Sequence, residues 1–192
     1  MNIYELILKR RSIRQFKQDP VSRELLDRLV NAARLAPSAA NKQPLEFVVV
    51  DDREVVKRLF PCLKWAAYIQ PAGNPEPGRE PAAYVVVLVN EEIRTSAFEW
   101  DSGAAIENMT LAALEEGVGS CWLISIDKKR IAEILGVPSG YLIDSVLALG
   151  YPDESPVADE MTTDSIKYWK DAEGRLHVPK RPLHSVLHHN KF

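Results

Sequence analysis

Four residues near the start of the chain, Arg10, Arg11, Ser12 and Arg14, place three guanidinium groups and a hydroxyl within five positions. Guanidinium forks match the geometry of phosphate oxygens, and a hydroxyl adds one more donor. Residues 9–17, which also hold Lys9 and Lys17, contain no acid. A second cationic island, residues 175–181, carries Arg175, Lys180 and Arg181, again without an acid. Between them lies Pro37-Ser38-Ala39-Ala40-Asn41-Lys42-Gln43-Pro44, a run of small residues with two side-chain amides. An amide offers both donors and an acceptor, which suits the polar edge of a heterocycle, and small neighbours let a flat ring approach the backbone. Each segment taken alone also fits a plainer role, a solvated basic face or an ordinary turn.

The chemistry these groups allow is binding rather than proton transfer. The sequence contains no GxxxxGK[ST], no GxSxG and no HExxH, and Gly117-Val118-Gly119 lacks a third glycine, Trp122 standing in its place. His184 and His188 have helical spacing beside His189, but Ser185, not glutamate, follows His184; they read as a solvated tail, not metal ligands. Cys62 and Cys121 form no CxxC pair and read as small buried hydrophobes. No nucleophile or acid–base set emerges, so an enzyme built on this sequence relies on a cofactor.

Composition bounds the rest. The 192 residues are 46% hydrophobic and 27% charged, as expected of one globular domain spanning 1–192. The 24 Lys and Arg against 27 Asp and Glu give a net charge of −3, which argues against nucleic acid as partner. Two cysteines suggest a reducing, cytoplasmic setting. The opening MNIYELILKRR carries Glu5 and is no signal peptide. The longest apolar run, residues 82–89, falls far short of the roughly 20 residues that span a bilayer.

The elements that must position these groups follow from periodicity. Residues 2–10 read as a short amphipathic helix with Ile3, Leu6 and Ile7 on one face. Ser22 is placed to cap a helix through Arg34, with Val21 stapled to Leu26. Residues 45–50, 84–89, 119–126 and 143–149 read as strands, and 54–60 and 128–135 as helices. Residues 102–116 form a helix apolar nearly all round, buried or held at a subunit interface. The proline-rich residues 71–81 read as an excursion without regular structure, residues 166–178 as a hairpin around Asp171–Gly174, and residues 183–188 as a closing helical turn. The sum is a three-layer α+β arrangement, with Trp65 and Tyr68 near the excursion.

Four of these segments, in order, resemble the FMN-dependent nitroreductase family: Arg10-Arg11-Ser12-Ile13-Arg14, residues 36–44, the helix residues 101–109, and Pro179-Lys180-Arg181-Pro182. The resemblance implies a central, mostly antiparallel sheet flanked by helices, in an intertwined homodimer with FMN at the interface. It implies that Arg10, Arg11, Ser12 and Arg14 contact the cofactor from one subunit, and that Pro37, Ser38, Ala39, Asn41 and Gln43 approach from the other. Lys180 and Arg181 would complete the phosphate site. Trp122, Leu123, Ile124 and Ser125 would face the ring with backbone groups. Implied too is a two-step reaction, NADH or NADPH first and then a flat acceptor such as a nitroaromatic, quinone or activated alkene. The chain departs from the family's common pattern at Ile124 and Ser125, where glycine is frequent, and at Leu45, where an aromatic is frequent. Two alternatives stand beside this one: a specialised flavin enzyme of the same fold (reductive dehalogenase or flavin-fragmenting), and a non-catalytic flavin- or anion-binding module.

Overall fold

The valine-rich run in the middle of the sequence is buried on both sides, which explains why it shows no polar alternation. In the computed structural model, which describes residues 2–192, it is strand β2 (Ala83–Asn90) of a four-stranded antiparallel sheet. The strand order is β1-β2-β4-β3, with β1 Leu45–Val50, β3 Gly119–Leu123 and β4 Tyr141–Gly150. Successive β2 side chains go to opposite faces. Ala83, Val85 and Val87 pack with helices α2 (Arg23–Arg34) and α4 (Glu99–Glu115). Tyr84, Val86 and Leu88 pack with α3 (Arg53–Leu59) and α5 (Lys128–Leu135). The expected three layers, helices on both faces of an antiparallel sheet, are therefore present. Among the described residues no helix is long and apolar enough to cross a membrane.

Local signals set several boundaries. Ser22 caps α2 by accepting the Leu25 N–H at 3.2 Å, and the flanking Val21 and Leu26 are both buried. Helix α4 begins earlier than expected from the Ser102 signal. Ser102 is an interior residue whose N–H donates to Phe98 O at 2.9 Å, fully buried with Ala105, Ile106 and Met109. Helix α1 (Ile3–Lys9) buries only Leu6; Ile3, Tyr4, Ile7 and Leu8 stay exposed, so its apolar stripe meets no core within this chain.

One expectation at the other end is corrected and another is extended. The strand expected over 119–126 ends at Leu123; beyond it the chain leaves β4 and runs beside residues 63–64, with Lys64 N–H donating to Ser125 O at 3.0 Å and Leu63 bridging Ile126. The expected hairpin forms as β6 (Trp169–Lys170) antiparallel to β7 (Leu176–Lys180) around the Asp171–Gly174 turn, its first strand shorter than expected, and an unexpected strand β5 (Val157–Glu160), parallel to β7, completes a small sheet ordered β5-β7-β6. Strand β5, Val-Ala-Asp-Glu, is too short and too acidic to read as a strand.

Glycine matters most where residues 12–17 cross the main sheet. Gly119 of β3 faces Gly150 of β4, and the crossing segment is hydrogen-bonded there by Ile13 N–H to Ser120 O (2.9 Å) and Lys17 N–H to Tyr151 O (2.8 Å). A Cβ on Gly119 would lie 2.7 Å from Ile13 Cγ1 and 2.9 Å from Pro152 Cγ; one on Gly150 would lie 2.9 Å from Phe16 Cδ1. Ile13 is β-branched and the proline ring is rigid, so neither can swing away. Gly119→Ala is expected to lower stability by about 1–3 kcal/mol in urea unfolding; unchanged stability would mean that the segment can lift off the sheet without loss.

Candidate functional site

The crossing segment delivers Arg14 to the end of a cleft of about 750 Å³, a volume typical of small-molecule sites. One wall is β3 and its continuation, Cys121, Trp122, Leu123, Ile124 and Ser125. Lys64, Trp65 and Ala66 form the other, and Asn74 and Pro75 of the excursion stand at the rim. Trp122 and Ile124 expose apolar side chains here, while Trp65 is 4% exposed. Arg14 sits 5.6 Å from the ring centroid of Tyr168, which in turn contacts the Tyr68 ring.

Gln15, unremarked in the sequence, ties the excursion down. Its buried amide donates to Asn74 O at 2.9 Å and accepts from Glu76 N–H at 3.0 Å. Glu154 accepts the backbone N–H groups of both Arg14 and Gln15. Arg79 adds an ion pair to Asp153 at 2.7 Å. Residues 71–81 are irregular but fastened, and only the partner atoms, far apart in sequence, reveal it.

Arg10 and Arg11 line a separate depression of about 270 Å³ on the other side of Ser120, with Thr110, Leu114 and Ser155. Ser12 lies between the two hollows, bridged to Ser120. Arg10 Nε is 3.5 Å from Glu107 Oε1 of α4. Among the described residues Arg11 donates only to the carbonyls of Leu8 and Arg10. Burial and the adjacent Arg10 charge pull its guanidinium pKa down from the ordinary value. Burial is the larger cause, since it disfavours the charged form of any group.

The turn at 37–43 lies elsewhere. Pro37, Ser38 and Gln43 line a cavity of about 170 Å³ with Asp101 and Ala105 of α4, while Ala39 and Asn41 are exposed on the turn itself. Ala40, Asn41 and Gln43 adopt left-handed φ of 54°, 53° and 50°. Such a backbone persists in non-glycine residues only when its surroundings hold it. Here Asp101 accepts the Ala39 N–H at 3.0 Å and pairs with Arg94 at 3.2 Å, while Ser38 Oγ accepts the Gln43 N–H at 3.0 Å. Lys180 ends β7 and Arg181 follows it, both exposed and outside all three hollows. One chain thus brings Arg14 and residues 122–125 together and sets Arg10, Arg11 and Ser12 beside them. It keeps the 37–43 turn and the Lys180-Arg181 pair apart from that site.

Burial pushes the Cys62 and Cys121 thiols up, which leaves them inert. Among the described residues no cluster of His, Cys, Asp or Glu could hold a metal. Another cavity, about 660 Å³ between α3 and residues 80–82, mixes Arg53 and Lys57 with Asp51 and Glu80 and shows no consistent charge.

Residues 7–151 match the nitroreductase family. The chain belongs to that family. It is 34% identical over 157 residues to a protein of Archaeoglobus fulgidus named as a candidate NADH dehydrogenase/NAD(P)H nitroreductase, covering 78% of this chain and 85% of that one. It is 31% identical to an NADH dehydrogenase of Thermus thermophilus, over 85% of this chain and 93% of that protein. A solved FMN-dependent nitroreductase from Clostridium difficile superposes with a TM-score of 0.70 at 29% identity, covering 97% of this chain and 98% of that one. The nitroreductase fold therefore accounts for the whole layered arrangement.

Asp101, in the sequence only the first residue of the family-like segment 101–109, is a positioning residue for the turn. Asp101→Ala removes the support of the 37–43 turn and leaves Arg94 mostly buried without its partner. It is expected to lower unfolding stability by about 3–5 kcal/mol. Asp101→Asn keeps an acceptor for the Ala39 N–H and is expected to cost less; equal losses in the two variants would show that the turn does not depend on that bond.

Proposed function

We propose that this oxidoreductase binds FMN in the cleft between β3 and residues 64–66, with Arg10, Arg11, Ser12 and Arg14 as the anion-binding side. The observation that carries this reading is the cleft itself, which Arg14 enters beside the apolar wall of Trp122, Leu123 and Ile124, with Arg10 and Arg11 in the neighbouring hollow. The donor set suits a phosphate-bearing ligand with a flat apolar ring, because guanidinium groups can pair bidentately with phosphate while the apolar wall packs against the ring. When bound, FMN supplies a two-electron carrier between NADH or NADPH and a flat acceptor, a nitroaromatic, quinone or activated alkene. The chain's own part is binding and orientation, because the cleft lining holds no carboxylate or histidine to move a proton. Donor and acceptor using one open cleft in turn gives a two-step, ping-pong order.

The unit is a homodimer in this reading. Ile3, Tyr4, Ile7 and Leu8 on α1, and Leu35 and Trp100 (75% exposed) elsewhere, are large apolar side chains left on the surface of one chain that a second copy would cover. A second copy seated there would supply its 37–43 turn, with Ser38, Asn41 and Gln43, to the cleft of the first. Lys180 and Arg181 would add charge at the phosphate end.

The first test is the visible absorption of the purified protein and identification of any released chromophore. A flavin band from FMN, with NADH or NADPH oxidation in the presence of a quinone, is the expected result; a colourless protein that takes up no added FMN would sink the reading. FMN bound without turnover would favour a binding module instead. Arg10→Ala and Arg11→Ala are each expected to weaken FMN binding by about 1.5–3 kcal/mol, roughly ten- to hundredfold. Light scattering should give a dimer, and a monomer with full FMN occupancy would remove the shared site.

A further inference from the structure

His177 lies in β7, three residues before Lys180, and both of its ring nitrogens meet carboxylates. Nδ1 is 2.6 Å from Asp159 Oδ2 on β5, and Nε2 is 3.0 Å from Asp171 Oδ2 in the turn between β6 and β7. The ring stacks on Trp169 of β6, 4.2 Å between centroids and 9° from parallel. One side chain thus touches both neighbours of β7, in a sheet where β6 contributes two residues. An ionised carboxylate accepts and cannot donate, so both contacts are hydrogen bonds only when both nitrogens carry protons. A neutral ring keeps one of them and turns a lone pair toward the other carboxylate.

We infer that His177, as an imidazolium, is the clasp of the β5-β7-β6 sheet and a positioning residue for Lys180 and Arg181, so that anion binding by that pair weakens when the ring loses its proton. The link to FMN rests on the function proposed above; the clasp itself does not. Strand β7 rests on β5 through the register Val157–His177, Pro179–Asp159 and Lys180–Glu160, and Met161 N–H donates to Lys180 O at 2.8 Å. Releasing Asp159 therefore loosens the backbone that carries Lys180.

The charges around the ring make it the centre of this sheet. Asp159 faces it from β5 and Asp171 from the turn; among the described residues neither forms an ion pair with a lysine or arginine. The Arg175 N–H donates to Asp171 Oδ1 at 2.7 Å, whereas Lys170, Glu173 and Glu160 flank the two carboxylates in sequence. Hydrogen bonding to Asp171 and then Asp159 raises the His177 pKa above 6.5, and the ring in turn holds the Asp171 carboxyl below the usual carboxylate range. The histidine's contribution is complete below the ordinary histidine value and is lost as pH rises through its raised value. That of Asp171 is lost as pH falls through its lowered value. The clasp is closed between the two.

The test is FMN affinity of the full chain from pH 6 to 9, by flavin fluorescence quenching, for wild type, His177→Gln, Asp171→Asn and Lys180→Ala. Histidine NMR titration and backbone amide exchange of residues 176–180, with and without FMN, accompany it. Wild-type affinity is expected to fall about five- to tenfold across the His177 titration. His177→Gln and Lys180→Ala should bind more weakly with no such step, and Asp171→Asn should move the step to lower pH. Phosphate ionisation near pH 6 affects every variant alike. Amide exchange in β7 should quicken at the same midpoint even without FMN. Parallel pH profiles for wild type and His177→Gln would overturn the inference. Should His177→Gln fail to fold, an unmoved midpoint in Asp171→Asn would do so. Absence of FMN binding by wild type at every pH would instead defeat the cofactor reading, and the amide-exchange step would still decide the clasp.

Discussion

The candidate site depends on the close contact between residues 12–17 and two facing glycines, Gly119 and Gly150. Only where two strands present bare Cα atoms side by side can Ile13 and the fully buried Phe16 press into the sheet edge. The same contact brings Ser12 against Ser120, so the charged residues on either side of it fall into different hollows. Arg14 enters the cleft, while Arg10 and Arg11 stay with α4. Dense packing transmits position here. Every polar anchor added later, Glu154 on the Arg14 and Gln15 amides and Gln15 on the excursion, builds on a segment already fixed by that contact.

The second constraint is backbone strain held by charge. Three left-handed residues in the 37–43 turn each cost on the order of 1 kcal/mol. They are kept by Asp101, a carboxylate 4% exposed that is itself tolerable only because Arg94 neutralises it. The turn keeps Ala39 and Asn41 exposed, while the exposed side chains of α1 stay without a core. Both features cost stability in an isolated chain.

Much was legible beforehand. Strand β1 and helix α5 have the bounds that β-branched runs, prolines and a capping glycine suggested, because those signals act over a few residues. The cationic islands, the small-residue turn and the family resemblance were also written in the order of the residues, as was the apolar character of α4. Trp122, Leu123, Ile124 and Ser125 do line a cleft with Arg14.

What the order of residues could not convey is which distant groups meet. Gln15 and Glu154 read as ordinary polar residues; their roles come from partners about 60 and 140 positions away, a distance at which no propensity or period operates. Strand β5 exists because β7 offers it a free edge, and His177 joins Asp159 to Asp171 only because the small sheet folds them onto one ring. The separation of Arg10 and Arg11 from the 37–43 turn within one chain was implied by the family resemblance and not by the spacing of the residues. Residue order carried the charge and most of the elements, since these depend on neighbours along the chain. Tertiary structure decided which of those groups share a hollow, since that depends on packing and hydrogen bonds made only after the chain has closed on itself.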